Sequence, residues 1–259
     1  QETCLKIYLP DSDEGAKQYA DIRAALENLK ARDEEHAWGR LCTETALTRQ
    51  EDWEWGWKQY FKPFPVGKGF MIKPSWETVE DPQGRRILEI DPASSFGTGS
   101  HATTRLCLQA LDTHIHGGER VLDLGCGSGI LSIAALRLGA ESAFACDIDE
   151  KCVDVAYENA ALNGIGKDRY TVRWGNVLTD AALRQEMGAG YDIVVANIVA
   201  DVIMGLSPHV RPFLKPGGLF LCSGIIDDRA AEVLEKLKAD GWDVFEQRSS
   251  EGWFSYLCK

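Results

Sequence analysis

The chain has 259 residues, 44% hydrophobic and 26% charged, ordinary values for a globular protein and enough for one large α/β domain plus a smaller unit. Its formal net charge of −12 disfavours direct gripping of a nucleic-acid backbone and suits a basic partner, and no apolar run reaches the roughly 18 residues of a transmembrane helix. The eight cysteines form no C-x-x-C pair and have no histidine cluster beside them, so no metal site is expected, and several (Cys146, Cys222) sit in apolar runs as free thiols do in a reducing cytoplasm.

The chain opens Gln1-Glu-Thr-Cys-Leu-Lys-Ile-Tyr-Leu, without the basic and apolar regions of a signal peptide and without an initiator Met, and reads as a fragment lacking an N-terminal part. Cys4–Leu9 reads as a strand and Ala16–Ala31 as a helix, apolar at Tyr19, Ile22, Leu26 and Leu29. With a polar, strand-like tail these make residues 1–50 a small α+β unit, too small to stand comfortably alone. Residues 51–95 read as a connector. It starts with a linker helix whose Trp53, Trp57, Tyr60 and Phe61 recur at helical spacing, as packing residues, until Pro63 and Pro65 stop it. Val66–Ile72 and Arg86–Ile90 read as short strands around the turn Pro74-Ser-Trp-Glu.

From residue 96 a third domain begins, and strands and helices alternate, the mark of a largely parallel sheet covered on both faces. An apolar-periodic helix runs through Leu106, Leu108 and Leu111. The strands are Arg120–Leu124, Ser142–Asp147, Tyr170–Trp174, Ile193–Ala196 and Leu219–Gly224. The helices between them are Ile130–Leu138, Lys151–Asn163, Val199–Leu214 and Arg229–Asp240. Trp242–Arg248 and Trp253–Cys258 close the chain as two antiparallel strands. The fold class is α/β with a Rossmann-like sheet.

Val121-Leu-Asp-Leu-Gly-Cys-Gly-Ser-Gly-Ile is an apolar strand running into glycines and then a helix, a context that makes a nucleotide-type site of an otherwise weak motif. Glycines at 125, 127 and 129 allow close backbone approach. The spacing is G-x-G-x-G rather than the dinucleotide G-x-G-x-x-G. Asp123 beside the turn fits a cationic ligand such as S-adenosylmethionine and would be unhelpful beside a pyrophosphate. Asp147, at the end of the next strand, is placed to accept ribose hydroxyls, whereas Asp149 reads as a helix cap. Asn197 ends the fourth strand after four apolar residues, and its amide can both donate and accept, which suits orienting the methyl donor or an incoming amine. Upstream, Phe96-Gly-Thr-Gly-Ser-His-Ala-Thr-Thr104 can close over a ligand. His101 there invites a general-base reading, but a single His in a polar loop reads better as structural.

These segments, with Asp147-Ile-Asp, Val195-Ala-Asn-Ile, Ser223-Gly-Ile-Ile and the connector's Phe61-Lys-Pro and Ile72-Lys-Pro-Ser-Trp-Glu, resemble the bacterial methyltransferases that act on large-subunit ribosomal protein eleven. The resemblance covers about residues 45–259. It implies a seven-stranded methyltransferase sheet and S-adenosylmethionine as cofactor, leaving S-adenosylhomocysteine. It also implies methylation of lysine side chains and an N-terminal amine of a basic ribosomal protein, and a ferredoxin-like N-terminal recognition domain of which residues 1–50 look like the second half. The cofactor set is then Phe96, Thr104, Asp123, Gly125, Gly127, Asp147, Ile148 and Asn197, with Asn197 also the catalytic candidate. A monomer without nucleic-acid or membrane partners is expected. The alternatives are a methyltransferase for another protein lysine or a small molecule, and an NAD(P)-dependent oxidoreductase.

Overall fold

The computed structural model describes residues 5, 7–33, 38–46, 61–91 and 97–259. The chain divides into two compact units, residues 1–58 and 59–259.

In the first unit the expected helix forms as α1 (Asp13–Arg32). Ser12 caps it, its hydroxyl accepting the Gly15 N–H at 3.3 Å. Asp13 and Glu14 in the first turn and Lys30 and Arg32 in the last complement the helix dipole. The strand expected over Cys4–Leu9 differs: residues 5 and 7–9 are not in a strand, and Leu5, Ile7 and Tyr8 are exposed. A strand needs a ladder partner, and the described residues of this unit offer none, so the α+β expectation leaves one helix there. The linker helix, with Trp53, Trp57 and Tyr60, lies outside the described residues.

The second unit begins with a three-stranded sheet, β1 (Phe64–Val66), β2 (Phe70–Lys73) and β3 (Arg86–Glu89), in that order. The single strand expected over Val66–Ile72 is a hairpin, because Gly67-Lys68-Gly69 turns the chain and sets Phe64 opposite Ile72. Val66, Phe70, Ile72, Leu88 and Ile90 are buried in one core with the helices that follow.

The main sheet comprises β4 (Arg120–Leu124), β5 (Ser142–Asp147), β6 (Tyr170–Trp174), β7 (Tyr191–Asn197), β8 (Leu214–Ile226), β9 (Val244–Ser250) and β10 (Trp253–Cys258). Their order is β6-β5-β4-β7-β8-β10-β9. The first five run parallel, β10 pairs antiparallel with β8, and β9, antiparallel to β10, runs again in the direction of the first five. The helices are α2 (Ala102–His114), α3 (Ile130–Leu138), α4 (Lys151–Leu162), α5 (Ala181–Met187), α6 (Ala200–Val210) and α7 (Asp227–Ala239). Side chains alternate between faces, so Val121 enters the core under α2, α3 and α4 while Leu122 and Leu124 enter the core under α5, α6 and α7. Both faces are covered, which is why these strands read as continuous apolar runs.

Candidate active site

The parity of the central strands decides which side chains meet. Asp123 on β4 stands in register with Ala145 on β5 and Val195 on β7. Asp147 and Asn197 therefore lie two residues further along the neighbouring strands, on the same face and at the carboxyl edge, flanking the glycine turn that leaves β4. In an open parallel sheet this edge is where ligands sit.

The turn is tied down by its backbone. The N–H groups of Gly125 and Cys126 donate to the Cys146 carbonyl at 2.8 and 3.1 Å. Gly125, Gly127 and Gly129 all have positive φ, 79°, 51° and 78°, conformations costly for a residue with a Cβ. Protein atoms also claim the space: a Cβ at Gly125 would lie 2.6 Å from Ile198 Cγ2, and one at Gly129 would lie 2.8 Å from the Tyr170 hydroxyl. The chain's own path and packing thus demand these glycines. Gly127 donates its N–H to Asp147 Oδ2 at 2.8 Å, which locks the turn to the end of β5.

Asp123 is wholly buried. Its Oδ2 accepts from the hydroxyl and the N–H of Ser132 at 2.7 and 3.2 Å, and its Oδ1 has no partner. Burial raises its carboxyl to about 7, the two Ser132 bonds pull it back, and Asp147 adds to the rise. An orphaned buried carboxylate oxygen beside a glycine turn fits a cationic ligand. Asp147 uses each oxygen once, the second accepting the Asp149 N–H at 2.9 Å, so lone pairs remain for hydroxyl donors. Asp149 in turn accepts the Lys151 N–H at 3.0 Å where α4 begins, the bond of a capping side chain.

Asn197 meets Thr104 across the face. Its Nδ2 donates to Thr104 Oγ1 at 3.4 Å, and Thr104 is buried in the first turn of α2. This contact fixes the amide so that Oδ1 is left to accept. His101 is the N-cap of α2: its Nδ1 accepts the Thr103 N–H at 3.4 Å and pairs with Thr103 Oγ1 at 2.8 Å. With Nδ1 an acceptor, the neutral ring carries its proton on Nε2, which makes it a cap and a donor rather than a base. Phe96 lies outside the described residues. Ile148 is 74% exposed at the carboxyl edge. There its carbonyl accepts from Nε1 of Trp174 at 3.1 Å, and Trp174 is itself 60% exposed. Trp174 escapes sequence reasoning because it looks like the last residue of an ordinary strand. Only the pairing of β6 with β5 brings it beside Ile148.

A cationic ligand bearing a ribose suits this edge of the sheet, and with this strand order it places the chain among the S-adenosylmethionine-dependent methyltransferases of Rossmann-like fold. Residues 1–259 match the ribosomal protein L11 methyltransferase (PrmA) family, and the chain belongs to that family. It is 46% identical over 249 residues to the ribosomal protein L11 methyltransferase of Desulfitobacterium hafniense, covering 96% of this chain and 76% of that one. With the enzyme of the same description from Desulforamulus reducens it shares 44% identity over 209 residues, 81% of this chain and 66% of the relative's length. The crystal structure of ribosomal protein L11 methylase from Lactobacillus delbrueckii subsp. bulgaricus is similar with a TM-score of 0.69 at 28% identity, covering 77% of this chain and 98% of that chain. Family membership displaces the oxidoreductase alternative. Among the described residues no helix is long and apolar enough to cross a membrane.

Proposed function

We propose that this chain transfers methyl groups from S-adenosylmethionine to amino groups of ribosomal protein L11, both lysine side chains and the N-terminal amine. The observation that carries the reading is the Asn197–Thr104 pair at the carboxyl edge of the sheet, on the face that also presents Asp123 and Asp147. When bound, the cofactor supplies an electrophilic methyl group on a positively charged sulfur. Asp123 would offer its unpaired Oδ1 to the cationic part, Asp147 would accept the ribose hydroxyls, and the exposed Ile148 and Trp174 would form an apolar seat for the adenine ring. Gly125 and Gly127 would hold the backbone close, Thr104 would contribute from the first turn of α2, and Phe96 completes the proposed set.

Methyl transfer to an amine is an in-line displacement, and alignment alone can supply roughly 7–11 kcal/mol. Asn197 Oδ1 accepts an N–H of the neutral amine, which points the nitrogen lone pair away from the amide. A free lysine titrates near 10.4, so the amine must lose its proton on entering the site. Desolvation on entering the site favours that loss, whereas the buried carboxylate opposes it. A neutral dimethylated amine has no N–H left to donate, so this contact serves the first two transfers, and a single-turnover rate reads the first. The acidic chain acts as a monomer on its basic substrate, in the cytoplasm, where its buried free thiols stay reduced.

Mass spectrometry of protein L11 after incubation with the chain and S-adenosylmethionine tests the reading. Methylated lysines and N-terminus are expected, and Asn197→Ala should slow the single-turnover rate on the order of 10²-fold. An unmodified L11, or an unchanged rate in the variant, would sink it.

A further inference from the structure

One buried polar side chain outside the cofactor set is bonded to both the connector and the glycine turn. Asn159, on the inward face of α4, is 1% exposed. Its Oδ1 accepts the Asp91 N–H just beyond β3 at 2.9 Å, and its Nδ2 donates to the Ser128 carbonyl inside the turn at 3.0 Å. The contacts continue in both directions. Asp91 uses its two carboxylate oxygens to hold the N–H and hydroxyl of Ser75, at 2.6 and 2.7 Å. The Ser128 hydroxyl donates to the Gly97 carbonyl at 2.6 Å. Gly97 has φ +104°, and a Cβ there would lie 2.7 Å from Ser128 Oγ, so the chain passes as closely as a glycine allows.

We propose that Asn159 is a positioning residue for cofactor binding, holding the glycine turn in register with the connector sheet. Ser128 relays that position to the strand of chain at Gly97. Asparagine suits the place because one short planar group presents an acceptor and a donor on opposite sides. Aspartate would keep the bond from Asp91 but turn a charge on the Ser128 carbonyl. Leucine would leave the Asp91 N–H and the Ser128 carbonyl buried and unpaired.

Asn163 provides a built-in control. It follows four residues later and also binds β3, accepting the Glu89 N–H at 3.0 Å and donating to the Glu89 carbonyl at 2.7 Å, and it donates to the main-chain carbonyl of Asn159 at 2.8 Å, a bond that leaves the Asn159 amide untouched. Its amide makes no bond to the glycine turn. If these asparagines only fastened the connector sheet to α4, losing either would have the same consequence.

The test is calorimetric titration of the full chain with S-adenosylhomocysteine, alongside thermal melting. Asn159→Leu should raise the dissociation constant about tenfold or more, while kcat at saturating S-adenosylmethionine stays within about threefold. Asn163→Leu should lower the melting temperature comparably and leave the dissociation constant within about twofold. Ser128→Ala should weaken binding a few-fold, and adding it to Asn159→Leu should cost less than the sum of the two, since both act on one element. Should Asn159→Leu not fold, Asn159→Asp, which keeps the connector bond and loses the turn bond, carries the same expectation. Equal effects of the 159 and 163 variants on the dissociation constant, or full additivity with Ser128→Ala, would overturn the proposal. The readout needs cofactor binding alone, so it stands or falls apart from the identity of the protein acceptor.

Discussion

At the scale of single residues, Asp123 makes the sharpest claim. Burial lifts its carboxyl from 3.8 to about 7 against the Ser132 bonds. The folded value lies above the unfolded one, so the ligand-free protein holds a proton that the unfolded chain releases. That contribution to stability is complete below about pH 4 and is lost as pH rises through about 7. A cation against Oδ1 favours the ionised form, so cofactor binding expels the proton. Affinity for S-adenosylmethionine should therefore be about tenfold weaker at pH near 6 than near 8. Asp123→Asn should flatten that dependence in calorimetric titrations, and parallel profiles in the two proteins would refute the role. Thr104 acts one step back. Thr104→Val keeps the shape but frees the Asn197 amide to rotate, and should lower kcat about 10- to 100-fold and weaken S-adenosylhomocysteine binding as well. Asp147 and Asn197 are legible in the sequence because each is a polar residue closing an apolar strand, and Asp123 because it is a carboxylate within one, just before the glycine turn. Asn159 and Ser128 are not, because their partners lie 68 and 31 residues away and nothing local marks them. Trp174 is hidden for a related reason: its importance depends on which strand lies next to which.

At the scale of elements, the N-terminus of α2 decides how Thr104 is presented. His101 caps it and stacks edge-on against Trp253 of β10, with ring centroids 4.7 Å apart. Arg105, one turn into the helix, pairs with Glu251 in the β9–β10 turn at 2.5 Å, a half-exposed contact of the kind contributing no more than about 1 kcal/mol. Removing the cap by His101→Ala should cost about 0.5–2 kcal/mol in denaturant unfolding. His101→Asn, which caps equally well, should restore stability and leave the pH–rate profile unchanged. Loss of the acidic limb in that second variant would instead reveal a base. Elements with strong local marks are read closely from the sequence. Strands β4, β5 and β6 and helix α3 match their expected bounds because each is an apolar run closed by a polar or glycine boundary. Helix α5 is not foreseen: its seven residues give one apolar i,i+4 pair, Leu183 and Met187, too little to establish a period. The strand β8 begins at Leu214 rather than Leu219, since Leu214 pairs with Tyr191 and, after a register shift that leaves residues 215–218 without a partner on β7, the ladder resumes with Leu219 opposite Ile193.

At the scale of the molecule, we propose that cofactor chemistry and substrate recognition fall to different parts of the chain. Residues 59–259 form a compact unit with both hydrophobic cores and every described residue of the cofactor set. Unit 1–58, by contrast, buries only Gly15 in its helix. Folding stability scales with buried apolar surface, so the larger unit should fold without the smaller one, whereas the smaller should not fold alone. Nothing in the Asn197–Thr104 pair distinguishes one lysine from another. We therefore propose that residues 1–50 select protein L11. A chain beginning at Gln59 should melt cooperatively and bind S-adenosylhomocysteine within about twofold of the whole chain. Its kcat/KM on protein L11 should fall on the order of 10- to 100-fold, because binding energy remote from the reacting amine no longer contributes. On a short lysine peptide the two chains should be equal. Retained kcat/KM on protein L11 would move recognition into the larger unit, and loss on both acceptors would mean that residues 1–58 support the site itself.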